Sequence, residues 1–543
     1  MTPVEQFIHW ESTIPNAIFL RQPISGQWKT WTYREAGNEI RRVASSLVCY
    51  NLPPHSNIAI LSKNCAHWLM ADLAIWMAGH VSVPIYPTLS AQGIRFILEH
   101  SESKIIFIGK LDDFEKQRSG IHESIHRISF PIYGAQEGAQ WNDYLKIAPL
   151  AESVLPHAND LASIMYSSGT TGFPKGVMLP FKAFDFVGRS MVQNLVLNEK
   201  DRFFSYLPLS HIAEKAYVEM GLLYSGGSVS FTESLEKFAA NLREVQPTAF
   251  GGVPRIYAKF QEGVLEKMSQ QKLDRLLSLP VVSFILRKAL RKKLGFGSAR
   301  IIVSGAAPIP VTLLEWYKKV GIEIHEIYGM TENCGYSHGD HGSAFRLGTV
   351  GRPWAGVESK LTNEGEILTK HPGLMTGYFK DPETTAMVFT TDGFLKTGDK
   401  GSIDKDGYLT ITGRVKDQFK TDKAKFIAPA PIEIKMLANK DIEHVCVVGI
   451  GIPQPIALIV LSAFAKKKTP LAVQLSLNLT LEEINLTLES YERLSKAVVL
   501  KYDWTIENGL MTPSLKVKRN EVEKIYLEKY PIWYKETAVV VWE

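Results

Sequence analysis

Residues 166–177 read Tyr-Ser-Ser-Gly-Thr-Thr-Gly-Phe-Pro-Lys-Gly-Val, and they follow Leu161–Met165, a mostly apolar run that is typical of a strand. Glycine lets a backbone approach a ligand closely and adopt positive φ. Successive N–H groups in such a turn form a concave anion site, to which hydroxyls add donors and a lysine adds a point charge. This composition predicts a polyphosphate-binding loop made of Ser167, Ser168, Gly169, Thr170, Thr171, Gly172 and Lys175.

The order of these residues differs from that of the familiar phosphate loop. That loop needs G-x-x-x-x-G-K followed by Ser or Thr. Here Gly176 follows Lys175, and Gly169 and Gly172 are too close together. An ordinary P-loop NTPase is therefore disfavoured.

The size and charge of the chain restrict the class of protein to which it can belong. Its 543 residues exceed what one hydrophobic core usually spans, so at least two domains are expected. A content of 45% hydrophobic and 22% charged residues is typical of a soluble globular protein. The formal net charge of +5 is small for this length, which argues against a dedicated nucleic-acid binder.

The cysteines and the apolar segments bear on the compartment. Cysteines at positions 49, 65, 334 and 446 form neither C-x-x-C pairs nor a metal-ligand spacing, which indicates a reducing environment. The N-terminus lacks an apolar run with a cleavage site, so we expect no signal peptide and a cytoplasmic location. The most apolar window, Trp68–Val83, contains Asp72, Gly79 and His80, and it predicts a buried helix and a strand rather than a membrane span.

Short β-rich runs alternate with helical patterns through the first half of the chain, which predicts a largely parallel α/β sheet. The candidate strands are 58–61, 104–108, 161–165, 203–207, 248–250 and 300–303, and the candidate helices are 235–245 and 255–268. After about Gly348, turn signals such as Asp406-Gly407 predict antiparallel hairpins or a small barrel. A separate C-terminal α+β unit is then predicted, with strands at 445–448, 457–460 and 498–500 and a helix at Leu481–Ser495.

One segment, Phe284–Leu294, is both basic and amphipathic and reads F-I-L-R-K-A-L-R-K-K-L. A helix of this kind can lie on an anionic membrane, which would make the protein peripheral to the inner face of that membrane. The commoner explanation of the same pattern is a helix with one solvated basic face.

Small or polar clusters stand at the ends of several predicted strands. They are Leu207–His211, Ser304–Pro308, Tyr328–Glu332, Lys396–Asp399 and Gly413-Arg414. In open α/β sheets, ligands collect in the crevice beyond the carboxyl ends of the strands, so one shared crevice would bring these clusters together. Together with residues 166–177, the ordered set resembles the adenylate-forming superfamily of acyl-CoA synthetases, luciferases and peptide-synthetase adenylation domains, over nearly the full chain.

Within that superfamily the chain most resembles the long-chain fatty acid–CoA ligases. The runs that carry this resemblance are Q-P-T-A-F-G-G-V-P-R at 246–255, F-K-T at 419–421, A-P-A-P-I-E at 428–433 and L-M-T-P-S-L-K at 510–516. The resemblance implies an α/β N-terminal domain, residues 1–415, built of stacked α/β sheets plus a small β-barrel-like subdomain and holding the ATP and acyl sites. A small, mobile α+β C-terminal domain, residues 416–543, would carry the catalytic lysine.

The resemblance also implies roles for single residues. ATP would place its β- and γ-phosphates in the loop Ser167–Lys175, its adenine against Tyr328, Gly329, Gly305, Ala306 and Ala307, its α-phosphate on Thr331, and its ribose on Asp399 and Arg414. Glu332 would hold Mg²⁺, a hard cation that prefers oxygen ligands. His211 would lie near the carboxylate and the acyl entrance. Each residue also has an ordinary explanation: a turn for Gly305–Ala307 and Asp399, a helix N-terminal acid for Glu332, and a structural histidine for His211.

Lys516 is the residue that the resemblance singles out for catalysis. The reaction joins two anions, a carboxylate and the α-phosphate of ATP, which repel each other in a low-dielectric crevice. A lysine between them would stabilise the developing charge and hold the in-line geometry. Lys518 and Arg519 are nearby alternatives, and an exposed basic tail is the ordinary explanation of this cluster. The family usually has glycine before the lysine, where this chain has Leu515.

Rotation of the C-terminal domain between the two half-reactions is also implied, with Lys416 at the hinge. The family often has glycine in the loop after the hinge, where the pantetheine of coenzyme A passes. This chain has Ala424 there. If the backbone at that point needs positive φ, the alanine is strained.

These features predict an ATP-dependent, AMP-forming ligase that activates a medium- or long-chain fatty acid as acyl-adenylate and then transfers it to coenzyme A. One alternative is an acyl-AMP ligase that loads a carrier protein, which Ala424 favours. A catalytically silent nucleotide-binding homologue is the other. The acyl chain length, membrane attachment and oligomeric state, for which a homodimer is one option, stay open at this point.

Overall fold

The structure is a computed structural model, and it describes residues 1–167, 174–340, 345–513 and 515–543. The helices in these ranges are α1 (Pro3–Thr13), α2 (Tyr33–Cys49), α3 (Ala66–Met77), α4 (Ala91–Ser101), α5 (Phe114–Arg118), α6 (Trp141–Tyr144), α7 (Phe181–Leu195), α8 (Ile212–Glu214), α9 (Gly221–Ser225), α10 (Phe238–Val245), α11 (Pro254–Leu265), α12 (Gln270–Leu277), α13 (Pro280–Lys293), α14 (Val311–Lys319), α15 (Pro382–Val388), α16 (Pro429–Met436), α17 (Pro470–Asn485), α18 (Arg519–Tyr526) and α19 (Tyr530–Lys535). A π-helical turn, Lys215–Met220, joins α8 to α9.

The strands of the same ranges are β1 (Ile18–Ile24), β2 (Gln27–Thr32), β3 (Asn57–Leu61), β4 (Val81–Ile85), β5 (Ile105–Ile108), β6 (His126–Ser129), β7 (Ala139–Gln140), β8 (Leu161–Ser167), β9 (Lys175–Pro180), β10 (Arg202–Ser205), β11 (Ser228–Phe231), β12 (Ala249–Gly252), β13 (Ile301–Ser304), β14 (His325–Tyr328), β15 (His338–Gly339), β16 (Arg352–Pro353), β17 (Glu358–Leu361), β18 (Glu366–Lys370), β19 (Gly377–Tyr378), β20 (Leu395–Ile403), β21 (Leu409–Arg414), β22 (Phe419–Lys420), β23 (Phe426–Ile427), β24 (Ile442–Val448), β25 (Ile456–Leu461), β26 (Lys496–Val499) and β27 (Val540–Trp542).

Two large mixed sheets form most of the N-terminal part of the described chain. Their strand orders are β16-β15-β14-β13-β12-β10-β11-β1-β2 and β19-β9-β8-β4-β3-β5-β6-β7. The inner strands pair in parallel, as β12 does with β13 and β3 with β4, which confirms the predicted largely parallel α/β architecture. Helices cover both faces: in β3, Ile58 and Ile60 pack in the cluster that contains α3, whereas Ala59 and Leu61 pack in the cluster that contains α4.

The apolar window at 68–83 forms the predicted buried helix and strand. Every residue of α3 is buried, and β4 follows it after a short turn. In the part of the chain that the structure describes, no helix combines the length and the apolar character that crossing a bilayer requires.

The region after Gly348 contains the predicted antiparallel hairpins. Strands β17, β18, β20 and β21 form one antiparallel sheet in the order β17-β18-β20-β21. Within it, Asp399 on β20 is the register partner of Arg414 on β21. The hairpin therefore brings together two predicted site residues that are 15 positions apart in sequence.

The C-terminal unit is built on the sheet β24-β25-β26-β27, with separate apolar clusters on its two faces. Its long helix corrects the sequence prediction, because α17 spans Pro470–Asn485 rather than Leu481–Ser495. Thr469 caps this helix by accepting a hydrogen bond from the Ala472 N–H, and Pro470 occupies the first helical position. After the helix, Asn485 ties the chain at Leu494 through two hydrogen bonds, so residues 486–495 form turns instead.

Candidate active site

The carboxyl ends of three parallel strands of the larger sheet, β10, β13 and β14, define the site. β10 ends at Ser205, β13 at Ser304 and β14 at Tyr328. The segments that follow these strands contain His211, Gly305–Ala307 and Gly329–Glu332. Parallel strands place these segments at one edge of the sheet, which is where ligands of open α/β sheets bind.

The hairpin β8–β9 carries the ends of the predicted phosphate loop. Ser167 and Lys175 are register partners at its open end. Ser168, Gly169, Thr170, Thr171 and Gly172 lie outside the described residues. Lys175 Nζ lies 5.1 Å from the ring centroid of Tyr378, whose hydroxyl donates a 2.9 Å hydrogen bond to Glu332. Tyr378 therefore contacts both Lys175, over its ring, and Glu332, at its hydroxyl.

Thr331 and Glu332 form a short 3₁₀ turn, Thr331–Asn333, that Asn333 closes by accepting a 2.8 Å hydrogen bond from the Met330 N–H. The Glu332 side chain is buried, and burial raises its pKa. Mg²⁺ in proteins is usually held by one or two carboxylates together with substrate phosphates. The buried carboxylate of Glu332 fits that mode of binding, because it lies at the edge of the sheet where the phosphates of ATP are predicted to bind.

Tyr328, Asp399 and Arg414 form one hydrogen-bonded unit. The Tyr328 hydroxyl donates to Asp399 Oδ2 at 2.7 Å, and Arg414 Nε lies 3.1 Å from Asp399 Oδ1. Tyr328 is buried against Ile367 and Leu409 of the antiparallel sheet. The unit therefore joins the end of β14 to the hairpin β20–β21.

The small residues at the predicted adenine site have specific backbone requirements. Ala306 has φ of +65°, which a residue with a Cβ adopts rarely and at a cost. A Cβ at Gly305 would lie 2.9 Å from Ile327 Cγ1, and one at Gly329 would lie 2.4 Å from the Gly335 backbone carbon. Both glycines are thus required by the packing of the chain itself, while Ala307 is exposed.

His211 is the N-cap of α8, and its Nδ1 accepts a hydrogen bond from the Ala213 N–H at 3.1 Å. Because Nδ1 is an acceptor, the proton of the neutral ring lies on Nε2. Burial, followed by the charge of Lys516, lowers the pKa of His211 to about 3, so the ring is neutral at physiological pH.

A buried network fixes the loop that carries His211. Glu214 Oε1 accepts hydrogen bonds from Ser205 Oγ at 2.7 Å, the Tyr206 N–H at 3.0 Å and Asn64 Nδ2 at 3.2 Å. Asn64 also accepts from the Leu209 N–H at 3.0 Å. Burial raises the pKa of Glu214 to about 8. The network connects the end of β10 to both ends of the loop.

Sequence reasoning missed Asn64, Glu214 and Tyr378. The spacing of His211 and Glu214 on one short helical turn was a usable signal for Glu214. Asn64 and Tyr378 had none, since they reach the site from distant parts of the chain.

Lys516 lies at the end of a tight turn closed by Thr512. The Lys516 N–H donates to Thr512 Oγ1 at 3.0 Å, and the Lys516 carbonyl accepts from the Thr512 N–H at 2.8 Å. Lys516 is exposed at the protein surface, but the surrounding protein atoms displace bulk water; this loss of solvation, followed by the Arg414 charge, lowers the pKa of Lys516. Asp399 and Glu332 act in the opposite direction. Lys516 is therefore near the charged groups of the N-terminal part.

The two neighbouring cations have different surroundings. Arg519 is largely buried within the C-terminal unit, where its Nη2 lies 2.5 Å from Glu433 Oε1 and its Nη1 donates to the Val447 carbonyl at 2.7 Å. Lys518 is partly buried, and its N–H donates to the Leu510 carbonyl at 2.8 Å. Arg519 thus has a partner away from the crevice, and Lys516 is the cation of this cluster whose charge acts on the crevice residues Glu332 and Asp399.

The structure describes the predicted hinge and the two positions at which this chain has another residue in place of the family's glycine. Lys416 is exposed in a 3₁₀ turn, Val415–Asp417, between β21 and β22. Ala424 has φ of +59° and Leu515 has φ of +60°. The backbone is therefore left-handed at both positions where the family usually or often has glycine.

The family of the chain can be assigned by comparison with known proteins. Residues 8–379 match the AMP-binding enzyme family, and residues 416–537 match the AMP-binding enzyme C-terminal domain. The chain belongs to the AMP-binding enzyme family. The expected membership of the adenylate-forming superfamily is thereby confirmed.

Two curated relatives and one solved structure are similar to this AMP-binding enzyme over most of its length. The long-chain-fatty-acid–CoA ligase FadD15 of Mycobacterium bovis is 29% identical, covering 95% of this chain and 93% of that protein. Long chain acyl-CoA synthetase 6, peroxisomal, of Arabidopsis thaliana is also 29% identical, covering 94% and 82%. The crystal structure of the anthranilate CoA ligase AuaEII with anthranoyl-AMP matches with a TM-score of 0.79 at 22% identity, covering 97% of each chain, and supports the fold.

Proposed function

We propose that this AMP-binding enzyme is an ATP-dependent, AMP-forming ligase that converts medium- or long-chain fatty acids to their coenzyme A thioesters. The observation that carries the proposal is the hydrogen-bonded unit of Tyr328, Asp399 and Arg414 beside the strand ends of the larger sheet. The charges of Arg414, Asp399 and Glu332 also act on Lys516 of the C-terminal unit. Curated relatives that cover nearly the whole chain are named long-chain fatty acid–CoA ligases or acyl-CoA synthetases, which supports the substrate class.

In the first half-reaction, one carboxylate oxygen of the fatty acid attacks the α-phosphorus of ATP, and pyrophosphate leaves. Lys516 would lie between the two anions and offset their repulsion, which is large where water is excluded. His211, which is neutral, would donate from Nε2 to the acyl carboxylate without adding a charge. Thr331 would bind the α-phosphate.

The nucleotide would be oriented by residues that already form one unit. Asp399, held by Tyr328 and Arg414, would accept hydrogen bonds from the ribose hydroxyls. Gly305, Ala306, Ala307 and Gly329 would allow close approach of the adenine ring. Ser167 and Lys175, with the loop between them, would bind the β- and γ-phosphates, and Glu332 would hold Mg²⁺, which supplies positive charge beside those phosphates.

In the second half-reaction, the thiol of coenzyme A attacks the acyl carbonyl and AMP leaves. We propose two domains, residues 1–415 and 416–543, that rotate about Lys416 between these steps. The exposed 3₁₀ turn at Val415–Asp417 supports this position for a hinge, because few packed side chains would have to move there. Ala424 keeps the left-handed backbone that a glycine would supply, so its presence does not favour a carrier protein over coenzyme A.

Location and assembly follow from the same reaction. We propose a cytoplasmic enzyme that works at the inner face of a membrane, since long-chain fatty acids partition into bilayers by about 0.8 kcal/mol for each buried methylene. A homodimer is not required, because one chain supplies all the site residues discussed above.

The test is fatty-acid-dependent exchange of labelled pyrophosphate into ATP, measured over a series of acids from short to very long, followed by thioester formation with coenzyme A or with a carrier protein. We expect exchange that is strongest with medium or long chains, and transfer to coenzyme A. Exchange with aromatic or short acids alone, or transfer to carrier protein alone, would contradict the proposed substrate or acceptor.

A further inference from the structure

Helix α13 presents large apolar side chains to solvent. Val281 is 74% exposed, Phe284 is 71% exposed and Ile285 is 62% exposed, and Leu279, just before the helix, is 49% exposed. Residues three and four apart lie on one face of a helix, so Val281, Phe284 and Ile285 share a surface. We call the face formed by Val281, Phe284, Ile285, Lys288 and Lys292 the outer face of α13.

The opposite side of α13 is fixed to the protein body. Ser283 and Leu290 are buried there. Arg287 Nε donates to the Lys319 carbonyl at 3.0 Å, and Arg291 donates to the Gly321 carbonyl at 2.8 Å and the Ala299 carbonyl at 2.6 Å. Because the helix is held on its inner side, the apolar side chains of the outer face cannot turn inward.

All charged residues in the stretch of sequence that contains the outer face are basic. Between Asp274 and Glu315 the chain has no acidic residue and seven Lys or Arg residues, although the whole chain has nearly equal numbers, 61 basic and 56 acidic. Lys288 and Lys292 continue the apolar stripe toward the C-terminal end of the helix. No ion pair among the described residues involves either lysine, so both are free to meet an external anion.

We propose that the outer face of α13 docks on the surface of an anionic phospholipid bilayer. The apolar first turn would enter the boundary between headgroups and acyl chains, while Lys288 and Lys292 would stay at the phosphates. This inference rests on α13 alone and is independent of the nucleotide crevice.

A second apolar stripe, on α17, differs from the outer face of α13 in the charge of the residues at its C-terminal end. On α17, Leu471, Leu475 and Leu479 are 56–66% exposed at a four-residue spacing, but this stripe leads to Glu482 and Glu483 rather than to lysines. The two helices therefore expose similar apolar area with opposite charge. An anionic surface would attract α13 and repel the acidic end of α17, which makes α17 a matched control.

The experiment is co-sedimentation of the full-length protein with vesicles, without any substrate. Vesicles of phosphatidylcholine alone are compared with vesicles that also contain phosphatidylglycerol. We expect binding to the mixed vesicles only. Lys288→Ser with Lys292→Ser should lower the partition coefficient about 30-fold, because each lysine contributes about 1 kcal/mol at an anionic surface. Phe284→Ser with Ile285→Ser should lower it at least tenfold.

The control and a second measurement decide the outcome. Leu475→Ser with Leu479→Ser should bind as the wild type does. A Phe284→Trp variant should show a blue-shifted indole emission on mixed vesicles if this turn enters the lipid. Undiminished binding by both α13 double variants, or equal binding to neutral vesicles, would overturn the proposal. The proposal would also be overturned if light scattering showed that the wild-type protein is a dimer and that the Phe284→Ser, Ile285→Ser double variant is a monomer. The outer face would then bind a second copy of the chain. None of these readouts depends on catalysis, so the proposed ligase reaction stands or fails separately from the proposed membrane contact.

Discussion

The hydroxyl of Tyr328 donates a 2.7 Å hydrogen bond to Asp399, across 71 residues of sequence. Arg414 contacts the other oxygen of the same carboxylate at 3.1 Å. The aromatic ring proposed to meet adenine and the carboxylate proposed to meet ribose therefore orient each other. Because Asp399 has both oxygens engaged, its side chain is held in one direction before any nucleotide arrives.

Removing the Tyr328 hydroxyl should weaken ATP binding. Tyr328→Phe keeps the ring but leaves a buried carboxylate without one donor, and a hydrogen bond to a charged group contributes about 1.5–3 kcal/mol. We expect the Kd for ATP to rise about tenfold or more in calorimetric titration. Tyr502→Phe, at an exposed position, should leave it unchanged. An unaltered Kd in Tyr328→Phe would mean that this bond does not orient the ribose carboxylate.

Glu214 should tolerate glutamine but not alanine. With its pKa raised to about 8, the carboxyl is protonated at neutral pH, and glutamine reproduces its acceptor oxygen. Glu214→Ala would leave the donors on Ser205, Tyr206 and Asn64 without their shared acceptor. We expect pyrophosphate-exchange kcat within about threefold of wild type for Gln and a loss of about tenfold or more for Ala. Equal activity of the two variants would show that the network does not position the His211 loop.

The same residue gives a pH prediction. Its pKa is raised from 4.5 to about 8, so the folded state retains a proton that the unfolded state loses as pH rises above 4.5. The contribution of this group to the free energy of unfolding is therefore fully present below pH 4.5. It decreases as the pH rises from 4.5 to about 8, and the loss at pH 7 is about 3 kcal/mol. Urea unfolding of Glu214→Gln should lack this part of the pH dependence. Identical pH profiles for the two proteins would contradict the raised pKa.

Glycine at either left-handed position should stabilise the C-terminal unit. Ala424 and Leu515 have φ of +59° and +60°, where a Cβ costs about 1–2 kcal/mol. Glycine relieves that cost but gains entropy in the unfolded chain, so we expect a net stabilisation of about 0.5–1 kcal/mol for Ala424→Gly and Leu515→Gly. Ala472→Gly, within α17, should instead destabilise by about 1 kcal/mol. Thermal unfolding measures the stability of all three variants. If Ala424→Gly and Leu515→Gly were both less stable than the wild type, the backbone at these two positions would not be strained.

Arg519 should behave as a structural cation. Its guanidinium pairs with Glu433 at 2.5 Å in a largely buried setting, and breaking a buried pair typically costs about 3–5 kcal/mol. Arg519→Ala should therefore lower the unfolding free energy of the C-terminal unit by that amount, whereas Lys518→Ala should change it by less than about 0.5 kcal/mol. Denaturant titration checks both. A fully stable Arg519→Ala would show that the pair is not part of the core.

The fold was predictable to the extent that its signals are local. The parallel strands β3, β5, β8 and β12 are mostly apolar runs bounded by turns, and each end was predicted within two residues. Helix α17 was misplaced because its exposed leucines, such as Leu475 and Leu479, break the apolar periodicity, while the reliable signal was the cap at Thr469 and Pro470.

The site divides in the same way. Asp399 and Arg414 stand in recognisable motifs, and the hairpin that pairs them was signalled by its turn. Asn64 lies 145 residues from Leu209, which it braces, and no local pattern reports a contact of that range. The left-handed φ of Leu515 was likewise hidden, because leucine rarely adopts it and only the surrounding turn imposes it.

The measurement that bears most directly on the account is the separation of the two half-reactions in Lys516→Ala, with Lys518→Ala as the control. We expect pyrophosphate exchange to fall by about 10²–10³ in Lys516→Ala, while thioester formation from supplied acyl-adenylate and coenzyme A continues near the wild-type rate. Lys518→Ala should retain both activities. Equal loss of the two half-reactions in Lys516→Ala, or normal adenylation, would contradict the role of this lysine in bringing the two anions together.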